Sequence, residues 1–171
     1  GGSQGLSPTY EQAHVGLDLL TLVSLNYKED IDMVDQNCAY CMEGELVAKF
    51  GIKICELETS KVYLFKEQSH PGRCIVAHKK HVGDMNELTA EERAAYFEDV
   101  ARVARAIMKA FNPDKVNYGA YGDTGHHLHF HLCPKYKDEY EWGGVFLMNP
   151  DKKYLTDAEY AEMIEKIKAN L

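Results

Sequence analysis

Four histidines fall within six residues of this chain, in the segment GHHLHFHLCPKY at positions 125–136. Three of them, His127, His129 and His131, are spaced two residues apart. Alternate residues of a β-strand share one face, so we expect these imidazoles to project together, with neighbouring Cα atoms roughly 6.6 Å apart. That spacing suits imidazoles that converge on one small group, such as a metal ion or a phosphate. The intervening apolar residues, which we expect to enter a core, are Leu128, Phe130 and Leu132.

The first interpretation of this segment is phosphate chemistry at the middle histidine. A partly unprotonated imidazole is a good nucleophile toward phosphorus near neutral pH. Phosphoryl and nucleotidyl transfer also need hydrogen-bond donors around the equatorial oxygens, and two flanking imidazoles meet that need. The preceding loop, NYGAYGDTG, adds Asn117, Thr124 and several glycines, whose small size lets backbone N–H groups approach an anion closely.

Two other interpretations of the histidine segment remain open. In one, all three alternating histidines are ligands of a zinc ion whose bound water is the nucleophile. In the other, they are surface residues on the polar face of an amphipathic strand, although such faces usually draw on many residue types. His126 falls on the opposite face or in the loop, and we assign it a structural role.

A second group of chemical interest is the single C-x-x-C pair of Cys38 and Cys41. Zinc takes four ligands, so one pair is a weak signal by itself. Two histidines, His81 and His127, are available to complete the set. The alternatives are a pair of buried thiols and a redox-active pair, although nothing downstream is typical of a thioredoxin unit. The other cysteines, which we place in the core, are Cys55, Cys74 and Cys133.

The histidine segment needs a sheet to hold it, and strand signals begin at Lys61. The stretches KVYLFKE (61–67) and CIVAHKKH (74–81) flank a turn that carries Pro71 and Gly72. They predict two neighbouring antiparallel strands. The segment DKVNYGAYGDTGHHLHFHLCP then predicts a strand, a glycine-bearing loop and the histidine strand.

Two helices are predicted, each with a capping box at its start: Thr89 with Glu92, and Thr156 with Glu159. Pro113 ends the first helix. Its apolar face is formed by Phe97, Val100, Ala104, Ile107, Met108 and Phe111. The apolar face of the second helix is formed by Tyr160, Met163, Ile164, Ile167 and Leu171. Because strands and helices mix without regular βαβ alternation, the predicted fold class is α+β.

The composition indicates in which compartment the protein is expected and which classes of binding partner are disfavoured. The 171 residues, of which 45% are hydrophobic and 27% charged, are typical of one globular domain. A formal net charge of −8 disfavours nucleic acid and anionic membranes, so phosphate chemistry must rest on a local site. There is no apolar run long enough to span a membrane and no signal peptide. Five cysteines, an odd number, argue against a disulfide framework, and we expect a cytoplasmic protein with reduced thiols.

The N-terminal stretch differs from the rest of the sequence. Gly1 is not a translated start, whereas Met33 would serve as one. We therefore expect residues 1–32 to be an added or variable extension and residues 33–171 to form the functional domain with a C-terminal tail helix. A short amphipathic helix within the extension would carry Leu17, Leu20 and Val23.

The pattern His-φ-His-φ-His-φ-φ resembles the signature of the histidine triad (HIT) family of nucleotide hydrolases and transferases. The resemblance extends over about residues 38–136 and includes CAYC, PGRCIVAHKKH, the long helix and the triad in the family order. It implies an antiparallel sheet of about five strands with a long helix and a C-terminal helix. It also implies a homodimer formed through the long helix and a joined sheet. Finally, it implies a structural zinc site whose ligands are Cys38, Cys41, His81 and His127.

The resemblance also implies a role for each site residue. His129 matches the nucleophile that attacks the α-phosphate and forms a covalent nucleotidyl-histidine, and His131 matches the donor to a non-bridging oxygen. His127 would orient His129 through its backbone carbonyl while its ring binds metal. Thr124 falls where relatives carry Ser or Thr near the leaving group, and Asn117 resembles the asparagine that reaches phosphate. The implied substrate-binding residues are Asn117, Gly122, Asp123, Thr124 and His131.

Four departures from the family pattern concern substrate preference rather than the nucleophile. Family members commonly read PGH and PKxH, where this chain has Arg73 after Pro71-Gly72 and the sequence HKKH at 78–81. The usual Gly-Gln-Ser before the triad is GDT at 122–124, in a loop that is one residue shorter than usual. Asp123 adds negative charge near a phosphate site, which would narrow the substrate range.

The expected function is hydrolysis at the α-phosphorus of a nucleoside polyphosphate of the diadenosine polyphosphate type, or of a nucleoside phosphoramidate. A nucleoside monophosphate is released, a purine is preferred, and no organic cofactor is required. The alternatives are the zinc hydrolase described above and a non-catalytic nucleotide-binding adaptor. In the segment EYEWGGVFLMNP, Trp142 and Phe146 would either shape the substrate end of the neighbouring site or pack in the dimer.

Overall fold

Five strands form one antiparallel sheet in the computed structural model, which describes residues 35–171. The sheet order is β1-β2-β3-β5-β4, and each pair of neighbours is antiparallel. In chain order the elements are α1 (Ala39–Met42), α2 (Gly44–Ala48), β1 (Gly51–Glu56), β2 (Ser60–Phe65), β3 (Cys74–His78), α3 (Ala90–Phe111), β4 (Lys115–Gly119), β5 (His129–Lys135) and α4 (Asp157–Lys168). The α+β class with a long helix and a C-terminal helix is confirmed.

The predicted extension, residues 1–32 with the helix through Leu17, Leu20 and Val23, lies outside the described residues. Within residues 35–171, no helix combines the length and the hydropathy that a membrane span requires.

The sheet differs from the sequence prediction in two places. Strand β1 precedes Lys61, where strand signals were expected to begin. It lies at the edge of the sheet and carries Lys53 and Glu56, so its apolar signature is weak. Strand β3 ends at His78 rather than at position 81. The backbone N–H of Lys79 still donates to the Thr59 carbonyl at 2.8 Å in the β2–β3 register, and the chain then turns, with the Val82 N–H donating to the Lys80 carbonyl at 3.0 Å.

Helix α3 covers one face of the sheet, and both predicted capping boxes are confirmed. Thr89 accepts from the Glu92 N–H at 3.2 Å while the Glu92 carboxylate accepts from the Thr89 N–H at 2.8 Å, and Thr156 and Glu159 do the same for α4. Between helix and sheet lies the larger hydrophobic core. Its strand residues include Val62, Leu64, Val76, Phe130 and Leu132, Leu128 joins them from just before β5, and its α4 residues are Tyr160, Ile164 and Ile167. Of the three cysteines predicted in the core, Cys74 and Cys133 are buried and Cys55 is half-buried.

One part of the predicted α3 face is not buried. Val100, Ala104 and Ile107 lie in the core, but Phe97 and Met108 remain 43% and 41% exposed. The sheet and α4 contact one side of this helix, and these two residues lie at its flank. The periodic pattern predicted the helix correctly but overstated the width of its buried face.

The opposite face of the sheet carries a smaller aromatic cluster under α1 and α2. Its buried residues are Tyr40, Val47, Tyr63, Phe65, Ile75 and Ala77. In the β3–β5 register, Ile75 lies opposite His131 and Ala77 lies opposite His129. Since cross-strand partners share a face, the histidines project on the side that α3 leaves free.

The turn before β3 depends on a glycine. Gly72 has a φ of +90°, and a Cβ there would lie 2.5 Å from the ring of Phe111 at the end of α3. A residue with a side chain would therefore be strained by its backbone and would collide with the helix. This close approach fixes the turn and the position of the next residue, Arg73.

Candidate active site

A cavity of about 900 Å³ opens over the face of the sheet that carries the histidines. His127, His129 and His131 all line it, and each is less than a tenth exposed. This burial contradicts the interpretation of the three as surface residues. The other wall is formed by segment 145–149, and α1 contributes Tyr40.

His127 lies just before β5 rather than within it, and both of its ring nitrogens have protein partners. Its Nε2–H donates to the His78 carbonyl at 2.7 Å. Its Nδ1 is therefore unprotonated, and this atom points to the sulfur atoms of Cys38 and Cys41 at 3.3 and 3.6 Å. Burial lowers the pKa of His127 to about 4, so the ring is neutral at pH 7.

Cys38, Cys41, His81 and His127 bring four ligand atoms within 4.8 Å of one another. Three of the four sulfur-to-nitrogen distances fall between 3.2 and 3.6 Å, and the two Nδ1 atoms are 3.3 Å apart. A tetrahedral zinc ion with ordinary bond lengths separates sulfur from nitrogen by about 3.5 Å and nitrogen from nitrogen by about 3.3 Å. The donor set therefore fits a tetrahedral metal. The His78 carbonyl supplies the outer hydrogen bond that orients a metal-bound imidazole.

The same cluster argues against the other two interpretations of the cysteine pair. Burial and the neighbouring Cys38 raise the pKa of the Cys41 thiol to about 11, whereas a redox-active C-x-x-C has a lowered pKa. Both cysteines are also only half-buried, with their sulfur atoms directed at histidine nitrogens rather than at apolar side chains.

His129, at the start of β5, presents one free ring nitrogen. Its Nδ1–H donates to the His127 carbonyl at 2.7 Å, which leaves a lone pair on Nε2. Burial lowers the pKa of His129, so the unprotonated, nucleophilic form is favoured. The ring of Tyr40 packs against His127 and His129, with centroids 5.1 and 5.0 Å away, and holds the pair in place.

His131 makes a different contact, because its Nδ1 faces the guanidinium of Arg73 at 3.2 Å. Burial, followed by the Arg73 and His129 charges, lowers the pKa of His131 to about 2. Gly119 lies opposite His131 on β4, and a Cβ there would lie 2.4 Å from Tyr121 and 2.9 Å from Phe146. The missing side chain thus leaves room for the aromatic rings beside the histidine.

The three triad histidines do not form a metal site of their own. Within the described part of the chain, the cluster of Cys38, Cys41, His81 and His127 is the group of three or more ligand residues that converges. Each triad ring uses one nitrogen for a different partner: the His78 carbonyl, the His127 carbonyl and the Arg73 guanidinium. This arrangement disfavours the interpretation of a three-histidine zinc hydrolase.

The loop before the triad contributes some of the expected residues to the cavity. Asp123 and Thr124 line it, and so does His126, which is exposed and lies in the loop. Asn117 lies opposite Cys133, on the sheet face that carries the histidines. Neither Asn117 nor the exposed Gly122 lines the cavity.

Sequence reasoning missed three contributors to this site. Arg73 was noted only as a departure from the family pattern, Tyr40 only as part of the C-x-x-C segment, and residues 145–149 only as an aromatic stretch. The two-residue period of β3 could have indicated Arg73, because it shares a face with Ile75, which pairs with His131. Of the two aromatic residues singled out near the C-terminus, Phe146 is buried and lines the cavity of its own chain, while Trp142 is 43% exposed.

A five-stranded antiparallel sheet with three alternating histidines on one face is the arrangement of a histidine triad protein. Residues 51–138 match the family model described as the HIT domain, and the chain belongs to the HIT family.

Known proteins agree with this assignment. Protein hit of Bacillus subtilis is 28% identical over 123 residues, which cover 68% of this chain and 83% of that protein. Adenosine 5'-monophosphoramidase hnt1 of Schizosaccharomyces pombe is 28% identical over 116 residues, which cover 63% of this chain and 80% of the relative. A crystal structure of a histidine triad protein of Sinorhizobium meliloti superposes with a TM-score of 0.69 at 23% identity, covering 75% of this chain and 95% of that one.

Proposed function

We propose that this protein hydrolyses a nucleoside polyphosphate or a nucleoside phosphoramidate by attack of His129 on the α-phosphorus. The observation that carries the proposal is the hydrogen bond from His129 Nδ1–H to the His127 carbonyl, which leaves the Nε2 lone pair as nucleophile in the cavity. HIT-family membership supports a nucleotide-processing hydrolase. The relative named as an adenosine 5'-monophosphoramidase favours phosphoramidates among the substrates and adenine among the bases.

The proposed reaction has two steps. First, the Nε2 lone pair forms a nitrogen–phosphorus bond while the bond from phosphorus to the leaving group breaks, and the leaving group departs with the electron pair and takes a proton. Water then attacks the same phosphorus and breaks the nitrogen–phosphorus bond. The water proton is lost, a nucleoside monophosphate is released, and His129 returns to its neutral form.

Other residues have supporting roles in this proposal. His131 donates to a non-bridging oxygen, and Thr124 assists at the leaving group. Asn117 and Gly122 do not line the cavity, so their contribution to phosphate binding would require a movement of the loop when substrate binds. Asp123 lines the cavity, and its negative charge would disfavour substrates with additional phosphates near it.

We further propose that the metal of the Cys2His2 cluster is zinc with a structural role. Two thiolates and two imidazoles are ligands that zinc prefers, and four protein ligands leave no open position for a reacting water. When bound, zinc supplies a cross-link between the segment around α1, the loop after β3 and His127. Because His127 also presents its carbonyl to His129, the cross-link would steady the nucleophile.

The homodimer expected from the family resemblance remains a prediction, as does a cytoplasmic location. The exposed flank of α3 around Phe97 and Met108 is consistent with such an interface. A light-scattering mass equal to one chain would contradict it.

The test of the catalytic proposal is His129→Asn in the metal-loaded protein. Removal of the nucleophile should lower kcat by at least about 10³-fold while nucleotide binding, measured by calorimetry, is retained. The variant should also keep its metal, because His129 is outside the Cys2His2 cluster. Products from adenine and guanine dinucleoside polyphosphates and phosphoramidates are separated by chromatography.

Two results would contradict this mechanism. Near-wild-type turnover of His129→Asn would exclude His129 as nucleophile, and release of terminal inorganic phosphate without a monophosphate would exclude attack at the α-phosphorus. Loss of metal from His129→Asn, with metal retained in Cys38→Ser, would instead favour the three-histidine zinc hydrolase.

A further inference from the structure

Arg73 is a fully buried cation without an acidic partner. Its side chain is 0% exposed, and among residues 35–171 no carboxylate forms an ion pair with it. Its guanidinium lies between the rings of Phe65 and Phe146, 4.2 and 4.9 Å from their centroids. Glu67 and Glu141 act on this cation only at longer range, without a hydrogen bond or an ion pair. Burying a charge is costly unless it is compensated, so a buried arginine whose direct partners are all neutral calls for a functional explanation.

The hydrogen bonds of Arg73 join two parts of the site. Nη1 donates to the carbonyls of Leu147 and Met148, both at 3.1 Å, and these residues line the cavity. Nη2 faces His131 Nδ1 at 3.2 Å. Nε is buried without a partner among the described residues, so the side chain gives up one hydrogen bond to reach this position.

The contact with His131 determines where that imidazole carries its proton. A guanidinium has only donors and cannot be deprotonated in a protein. The Nδ1 of His131 must therefore be the acceptor, which requires a lone pair on that atom. The proton then resides on Nε2, which has no hydrogen-bond partner among residues 35–171, and the ring lines the cavity.

We propose that Arg73 is a positioning residue that holds His131 as the neutral Nε2–H tautomer and so makes it a permanent hydrogen-bond donor to a phosphate oxygen. The inference rests on the proposed function, in which His131 binds a non-bridging oxygen. A doubly protonated His131 would direct an N–H at the guanidinium, so the same contact opposes protonation. The two neighbouring histidines are then in opposite tautomers: the His127 carbonyl leaves a lone pair on the Nε2 of His129, and Arg73 leaves a proton on the Nε2 of His131.

The buried charge would serve the same end. A substrate phosphate brings negative charge to a site that has no carboxylate paired with Arg73, on a protein whose formal net charge is −8. A fixed cation behind His131 stabilises that charge without reorganisation during the reaction. The occupied site would thus supply the counter-charge that the guanidinium lacks.

The chain offers a matched control in Lys135. This residue is also buried, and its Nζ donates to the carbonyls of Glu141 and Gly144, a few residues before the wall that Arg73 holds. It has no contact with His131 among its hydrogen bonds. Loss of Lys135 therefore loosens the same segment without touching the tautomer, and it separates wall support from the proposed effect on His131.

The experiment combines nitrogen-15 NMR of the histidine rings with steady-state kinetics on metal-loaded wild type, Arg73→Met, Arg73→Lys and Lys135→Met. The His131 signals are assigned by their disappearance in His131→Gln. In wild type we expect the proton of His131 on Nε2. In Arg73→Met we expect a mixed tautomer and a kcat lowered by about 10- to 100-fold. This is less than the roughly 10²- to 10³-fold cost of losing one donor completely, because part of the population keeps the donor tautomer. Arg73→Lys should recover part of both, and Lys135→Met should leave the tautomer unchanged.

Each outcome decides the proposal. If wild-type His131 carries its proton on Nδ1, the proposal is wrong, even if Arg73→Met fails to fold. It is also overturned if Arg73→Met keeps both the wild-type tautomer and kcat, or if Lys135→Met shifts the tautomer equally. The tautomer measurement needs no turnover, so it separates this inference from the proposed reaction, which is tested by the activity of His129→Asn and by the products released.

Discussion

The two faces of the central sheet are buried to the same extent by different means. On β5, His129 and Phe130 are both 9% exposed, and Leu132 and His131 are 0% and 3% exposed. Phe130 and Leu132 pack in the core beneath α3. The two histidines lie on the other face, where each ring commits one nitrogen to a fixed polar partner and keeps the other for the cavity.

The comparison shows that the exposed fraction of a side chain does not by itself distinguish an active-site residue from a core residue. On the helix face, stability comes from apolar contact, and the few polar groups are fully paired. Tyr96 donates to the Val76 carbonyl at 2.7 Å, and Asp99 accepts from Ser60 and from Thr59. On the site face, directional bonds are arranged so that one nitrogen in each ring remains available. We therefore expect substitutions on one face to change folding and on the other to change chemistry.

The largest stability effect should come from Leu132→Ala on the helix face. The side chain is fully buried, so its truncation should lower the free energy of unfolding by about 2–5 kcal/mol through lost burial and an unfilled cavity. Urea denaturation followed by circular dichroism measures the change. Leu132→Met, which conserves volume, should cost less than about 1.5 kcal/mol. A Leu132→Ala protein of unchanged stability, or one that is stable but inactive, would break the distinction between the faces.

Removal of metal should lower the stability of the protein by an amount between those of the other two predictions. A strong chelator should lower the thermal midpoint, and a ligand present at 100 times its dissociation constant contributes about 2.7 kcal/mol to the folded state. Cys38→Ser should reproduce the loss, whereas Cys55→Ser, a half-buried cysteine outside the cluster, should keep its metal. Calorimetry and metal analysis test this. A pure protein that contains no metal and gains no stability from added zinc would refute the site.

The smallest expected effect is the pH dependence contributed by His131. Its folded-state pKa lies far below the ordinary value near 6.5, so below about pH 6 the unfolded chain binds a proton that the folded chain does not. Stability is therefore lost as the pH falls, by up to about 1.4 kcal/mol for each pH unit from this group. In urea denaturation at pH 7.5 and 5.5, His131→Gln should lose about 1.4 kcal/mol less than wild type. An equal loss in both proteins would show that His131 titrates normally.

Much of the fold followed from local sequence patterns. The two capping boxes, the alternating strand and most of the two apolar helix faces depend on residues within a few positions of one another, and these are seen in the structure. Strand β1 was missed because an edge strand with Lys53 and Glu56 carries little of the apolar pattern. Phe97 and Met108 were expected to be buried because periodicity defines a helical face but not how much of it a neighbour covers.

The sequence predicted which residues belong to the site, but not the contacts that join them. The family resemblance named the four residues that form the metal cluster and the three histidines that line the cavity. The contact between Arg73 and His131 could not be predicted in the same way, because it joins residues 58 positions apart and depends on the register between β3 and β5. Segment 145–149 is held by its backbone carbonyls, and every residue type has a carbonyl, so the sequence does not indicate this contact.

The strand order has a consequence for the way the chain folds. Strands β1, β2 and β3 pair through short connections, as do β4 and β5, whereas the β3–β5 pairing must close a loop that contains all of α3. Local hairpins form early, and pairings between distant segments carry a larger entropic cost and form later. The two halves of the sheet meet where β3 pairs with β5. The Arg73–His131 contact and the Cys2His2 cluster both join residues from the two halves. A chain in which β3 and β5 have not yet paired thus contains His129 but lacks the Arg73–His131 contact and the metal cluster. The active site is therefore complete only when these two strands pair.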